Sequence, residues 1–191
     1  MLWRIGIAHG DISLWNLMYK TNNKYGVLND FDLSSIMEPG DESPNRQGLE
    51  RTGTLPFMAM QLLIDEGFDG KVSRRYDHEL ESFSWVLVWV SRCVNGGKEI
   101  QAPQRLLLWL NNNNETVYMA KLTFIRKKKT ISTTSDYKSL GKIADDWVDI
   151  WDSRDQLDNL PALTIAEHLR ALLAISSDVP IDVSWVDGLR A

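Results

Sequence analysis

The stretch AHGDISLWNLM, residues 8–18, sets three polar side chains, His9, Asp11 and Asn16, among Ile12, Leu14, Leu17 and Met18. A second polar outcrop, GVLNDFDLS at 26–34, puts Asp30 directly after a short apolar run. Both clusters adjoin segments that read as strands, so their polar residues fall on loops at strand ends. A carboxylate in that position, Asp11, can accept a proton from a substrate hydroxyl. Asn16, five residues on, offers a carbonyl oxygen that suits a hard cation, and Asp30 adds a second oxygen ligand. One Asp as base, with one Asn and one Asp on Mg²⁺, is what phosphoryl transfer needs, because that reaction asks for positioning and charge neutralisation rather than covalent chemistry. The alternative at this level is that Asp11, Asn16 and Asp30 are turn residues, which Asp and Asn favour.

Composition narrows the class. The chain has 191 residues, 43% hydrophobic and 25% charged, which fits a globular domain with a sizeable core. Its net charge of −5 argues against nucleic acid as a bulk electrostatic partner. A single cysteine, Cys93, cannot form an internal disulfide and points to an intracellular setting. One Cys with three scattered His, at 9, 78 and 168, leaves no Cys/His metal cluster to build. The most apolar run, FSWVLVWV at 83–90, is far short of the about 20 residues that cross a membrane, so no membrane partner is expected.

Outward from the two clusters, WRIGIA reads as a leading strand, and LWNLMYK-TNNK-YGVLND as strand, turn, strand. Residues 34–50, with Pro39, Gly40, Pro44 and Gly48, read as a long loop. The segment 78–94 is apolar almost all round and predicts a central helix ended by Gly96-Gly97. APQRLLLWLNN, ETVYMAKLTFIRKKK, LGKIADDWVDIWDS and ALTIAEHLRALLAI show spacing near 3.6 residues and predict amphipathic helices. Glu81 is expected on a solvated helix face, and RKKK at 126–129 at a solvated helix end, where cations suit the dipole.

Four motifs in order carry a resemblance. HGDISLWN resembles the protein-kinase catalytic loop, and NDFDLS resembles the Asp-Phe-Gly metal motif that follows it. RTGTLPFMAMQLL resembles the end of a kinase activation segment. VSRRYDHELESFSWVLVW resembles the central helix of the kinase C-lobe as found in the casein-kinase-1 group. As a set they are most similar to the fungal-type protein kinase family. The resemblance implies a mainly α fold with a small β hairpin region: a kinase-like C-lobe over 1–177 and a tail over 178–191. Within it would lie a catalytic loop 9–16, a metal motif 30–32, an activation segment 30–61 and a central helix 78–94. The implied reaction moves the γ-phosphoryl group of ATP, with Mg²⁺, onto a Ser or Thr hydroxyl of a protein. Asp11 would be the catalytic base, and Asn16 and Asp30 would hold Mg²⁺ and, through it, the nucleotide. His9 would pack under the metal loop, Phe31 would be a hydrophobic plug, Gly53 and Thr54 would shape the substrate-side loop, and Glu79 would hydrogen-bond the catalytic-loop backbone.

The chain departs from the family pattern in ways that bear on activity. Gly10 stands in place of the usual Arg, so a phosphorylated loop residue would lack that partner. Ser13 stands where a Lys usually meets the γ-phosphate, which weakens transition-state stabilisation. Asp32 replaces the Gly of Asp-Phe-Gly; Asp tolerates left-handed backbone but adds negative charge. Met60-Gln61 replace Pro-Glu, so the usual buried ion pair at that point is not expected. With the catalytic loop starting at residue 9, a Gly-rich loop and its Lys–Glu pair are expected to be missing ahead of it. The expectation is an N-lobe-less fragment, weak or inactive alone, with an apolar face left open around the central helix. Two other readings stay open: a pseudokinase-like module that binds a partner protein, and a small-molecule phosphotransferase similar to the aminoglycoside and choline kinase-like group.

Overall fold

The computed structural model describes residues 2–20, 25–38, 41, 44, 53–64 and 69–152. It is mainly helical, with three small antiparallel strand pairs among the described residues. The long helix α2, Tyr76–Cys93, runs through the middle. Its sequence is apolar on nearly every face, so helices must cover it all round. Helix α5, Lys138–Asp152, packs along it, and helix α4, Asn114–Lys127, closes another side. Asn113 caps α4, its side chain accepting from Thr116 N at 2.8 Å.

The core is aromatic. Trp85 of α2 meets Trp109 edge-on at 5.3 Å, Trp109 meets Phe124 of α4 at 5.5 Å, and Phe57 meets Trp89 at 6.1 Å. Such edge-to-face pairs add about 0.5–1.5 kcal/mol each beyond the area they bury. Phe57 belongs to a short 3-10 turn, Leu55–Phe57, followed by the one-turn helix α1, Met60–Leu63. This turn ties the loop-rich first half of the chain to the helical body.

The first half contributes short strands. Strand β2, Leu17–Lys20, pairs antiparallel with β3, Tyr25–Leu28, in the register Leu17↔Leu28, which is the expected hairpin; residues 21–24 at its tip lie outside the described set. The leading strand is shorter than predicted. Leu2–Ile5 form a 3-10 turn, and only β1, Ile7–Ala8, pairs, with β4 at Ser35–Ile36. Gly6, at φ +77°, turns the chain between them. Of the long loop 34–50, most lies outside the described residues, as do the fourth amphipathic helix at 162–175 and the tail at 178–191.

Other expectations need correction. The central helix starts at Tyr76, not 78, because the His78 ring accepts from Arg75 N at 3.0 Å and opens the helix earlier. Gly96-Gly97, at φ +57° and +69°, do more than end the helix. They turn a two-residue hairpin between β5, Val94–Asn95, and β6, Lys98–Glu99. APQRLLLWLNN gives only the short helix α3, Gln104–Leu107, and a 3-10 turn, Leu108–Leu110. The exposed large hydrophobics do not lie on the central helix. They include Leu107, Leu108, Leu110 and Met119 on the α3–α4 side. The basic run is not wholly solvated: Lys128 is buried and pairs with Asp149, while Arg126 and Lys127 are exposed. No described helix is long and apolar enough to cross a membrane.

Candidate functional site

The loop 9–16 is held from several sides at once. Gly10 N donates to Glu79 Oε1 at 2.9 Å, and Gly10 O accepts from Arg74 Nη1. Both main-chain groups of Gly10 are thus taken by side chains, one from α2 and one from the segment just before it. Gly10 has φ +86°, and a Cβ there would collide with the Leu33 carbonyl oxygen. A side chain at this position therefore needs the Leu33 backbone to shift and a strained φ, which is why glycine rather than Arg suits it. Arg74 brings a guanidinium to the same place from another segment. Burial pushes the Glu79 carboxyl above its ordinary value, while the Gly10 N–H, Arg74 and His9 pull it back.

Asp11 is fixed through both carboxylate oxygens. Oδ1 accepts from Thr54 N at 2.8 Å, and Oδ2 accepts from Asn16 Nδ2 at 3.0 Å. Asn16 Nδ2 also donates to Asp11 O at 2.9 Å. The amide nitrogen of Asn16 faces Asp11, which leaves its carbonyl oxygen as the side-chain acceptor. Ser13 is buried, with Oγ accepting from Asn16 N at 3.3 Å. The cavity bordered by Gly10, Asp11, Thr54, Arg74 and Ser82 measures about 10 Å³, so no ligand larger than a water fits beneath the loop.

The second cluster docks on the first. Asn29 N donates to Asn16 O at 2.8 Å, and Asn29 O pairs with His9 Nε2 at 3.0 Å. Since His9 Nδ1 accepts from Asp11 N at 3.3 Å, Nε2 carries the proton and donates. His9 is fully buried and meets the Phe31 ring at 4.8 Å. Phe31 itself is 41% exposed, so it leans on His9 rather than plugging a closed cavity. Asp30 follows Asn29 directly, has φ +62°, and is exposed. The left-handed residue of the motif is Asp30, not Asp32. Gly53, at φ +141°, packs against Gly10: a Cβ on it would lie 3.5 Å from Gly10 O.

One expectation fails outright. Glu81 is not on a solvated face; it is fully buried and accepts from Met60 N at 2.7 Å. A charged residue on a helix that is apolar all round has no solvated face to occupy. Cys93 is buried too, its thiol pushed up to about 12 by desolvation, which makes it an inert packing group.

Among the described residues no three His, Cys, Asp or Glu side chains come together to hold a metal. The donors near the loop are an Asn carbonyl and the exposed Asp30 carboxylate. That set is too sparse for a metal cage but fits Mg²⁺, which usually takes one or two protein oxygens and completes its shell with water and nucleotide phosphates. The residues present therefore fit a magnesium nucleotide better than a free ion.

Residues 1–91 match the fungal protein kinase family. The matched stretch, just under half of the 191 residues, contains all four motifs and ends within α2. The likeness to the fungal-type kinase family thus holds over the part of the chain that carries the loop, the metal-type motif and the turn. No curated protein matches the chain.

Proposed function

We propose that the loop 9–16 and the turn 54–60 form the phosphoryl-transfer face of a protein kinase-type enzyme, which moves the γ-phosphoryl group of ATP onto a protein Ser or Thr hydroxyl. The observation that carries this reading is the fixed Asp11 carboxylate, bonded to Thr54 N at 2.8 Å and Asn16 Nδ2 at 3.0 Å on a loop locked by Glu79 and Arg74. In this reading Asp11 orients the substrate hydroxyl and takes its proton as the new O–P bond forms and ADP leaves. Asn16 Oδ1 and Asp30 would hold the magnesium nucleotide, which would supply charge neutralisation at the moving phosphoryl group. Supporting this, Asp30 follows Asn29, whose N–H donates to Asn16 O at 2.8 Å. Ser13 is buried and uncharged, so the loop offers no ammonium to the γ-phosphate, and transfer is slow.

The test is nucleotide titration of the full chain with and without Mg²⁺. The native chain is expected to bind ATP in a Mg²⁺-dependent way, and Asp30→Ala to bind at least tenfold more weakly. Equal binding by both, or none by the native chain, overturns the reading; the latter fits the pseudokinase-like module instead. The residues His9-Gly10-Asp11 favour a second reading, a small-molecule phosphotransferase similar to the aminoglycoside and choline kinase-like group, although RTGTLPFMA counts against it. Phosphorylation of a small alcohol but of no Ser/Thr peptide would reverse the order of the two.

A further inference from the structure

The turn 54–60 rests on two fully buried charges of opposite sign. Lys121 of α4 has no solvent exposure. Its Nζ donates to Met58 O and, at 3.4 Å, to Leu55 O. The same ammonium lies 4.9 Å from the Trp85 ring centre and 5.6 Å from that of Trp109. Glu81 of α2 takes the other end of the turn: Oε1 accepts from Met60 N at 2.7 Å and from Trp85 Nε1 at 3.0 Å. Carbonyls at 55 and 58 are therefore gripped by a cation, and the amide at 60 by a carboxylate.

This arrangement supplies what the turn's own sequence lacks. Met60-Gln61 bring no carboxylate, and Gln61 Oε1 is spent on His78 Nε2 at 2.8 Å and Arg75 Nη2 at 3.4 Å. Desolvation pushes the Lys121 ammonium down to about 7, and Glu81 opposes that shift. The two carbonyls and two ring faces also favour the charged form. A buried charge is costly without partners, so loss of either member removes part of what offsets the desolvation of the other.

The turn passes this order on. Phe57 N and Met58 N donate to Thr54 O at 2.8 and 3.1 Å, and Thr54 N donates to Asp11 Oδ1 at 2.8 Å. We infer that Lys121 and Glu81 act together as positioning residues for the turn 54–60, fixing through Thr54 the direction in which the Asp11 carboxylate points. Its bearing on catalysis rests on the phosphotransfer reading above; the clamp itself does not.

The experiment reads backbone order in the full chain and uses no nucleotide, so its failure is distinct from a failure to bind ATP. In Lys121→Met, amide exchange at Thr54, Phe57, Met58 and Met60 is expected to speed up at least tenfold, with Val88 on α2 unchanged. The Thr54 amide proton signal is expected to move as its bond to Asp11 lengthens. Val148→Ala is the control: it cuts into the buried α5 face and removes none of the clamp's hydrogen bonds. If Lys121→Met leaves exchange in the turn as it was, or if Val148→Ala moves the Thr54 signal equally, the inference is wrong. Should Lys121→Met not fold, the native chain with ¹⁵N-labelled lysine decides. At about pH 6 a clamped Nζ gives a slowly exchanging ammonium signal, and an Nζ exchanging as fast as the surface lysines contradicts the clamp.

Discussion

The loop 9–16 and the turn 54–60 touch at Asp11 Oδ1 and Thr54 N, yet they are ordered by different means. The loop is held by single hydrogen bonds that reach it from Glu79, Arg74, Asn29 and Thr54, and Asp11 itself is partly open to solvent. The turn is held by desolvated charges, Lys121 and Glu81, set in a tryptophan cluster. The bonds of the first kind that involve Glu79, Arg74 or the Asp11 carboxylate contribute about 1.5–3 kcal/mol each and the neutral His9–Asn29 bond about 0.5–1.5 kcal/mol, so the loop can shift when one is lost. The second kind is tied to the core, so it yields only when a buried group that holds it, Lys121, Glu81 or a ring of the cluster, is removed.

Substitutions should separate the two kinds of order. The largest effect is expected from Trp109→Ala, which removes a fully buried ring from the cluster under the turn. A loss of about 3–5 kcal/mol in denaturant unfolding is expected, with loop and turn melting together. If the turn kept its amide protection while the helices loosened, the contrast drawn above would break. A smaller effect is expected from Gly10→Ala, where φ is +86° and the added methyl meets the Leu33 carbonyl. A cost of roughly 1–3 kcal/mol is expected, felt as faster amide exchange across 9–16 with α2 unchanged. Uniform loss of protection over the whole body would show that the loop is part of the core after all.

Much of the fold was legible because periodicity is strong where burial is strong. Helices α2, α4 and α5 follow from their apolar spacing, and the pairing of β2 with β3 from the strand–turn–strand pattern. Their ends were less legible. The His78 cap and the Gly96-Gly97 hairpin depend on local hydrogen bonds that no apolar count registers. The polar cluster of His9, Asp11 and Asn16 could be read from residue type and spacing, but not that glycine suits position 10, since that depends on Leu33 from a separate segment. Glu81 and Lys121 were missed although a signal existed. Lys121 falls on the same buried stripe of α4 as Val117, Phe124 and Ile125, and Glu81 sits on a helix with no polar face. A charge on an apolar stripe reads as a buried group with a partner, and the partner is visible only in three dimensions.

The most direct measurement uses Mn²⁺ in place of Mg²⁺, with ADP, and follows paramagnetic broadening of backbone amide signals in the full chain. If Asn16 and Asp30 share a metal nucleotide beside Asp11, the amide signals of all three broaden only when nucleotide is present, and those of α5 stay sharp. Broadening centred elsewhere, or sharp signals at all three with ADP bound, would contradict the account.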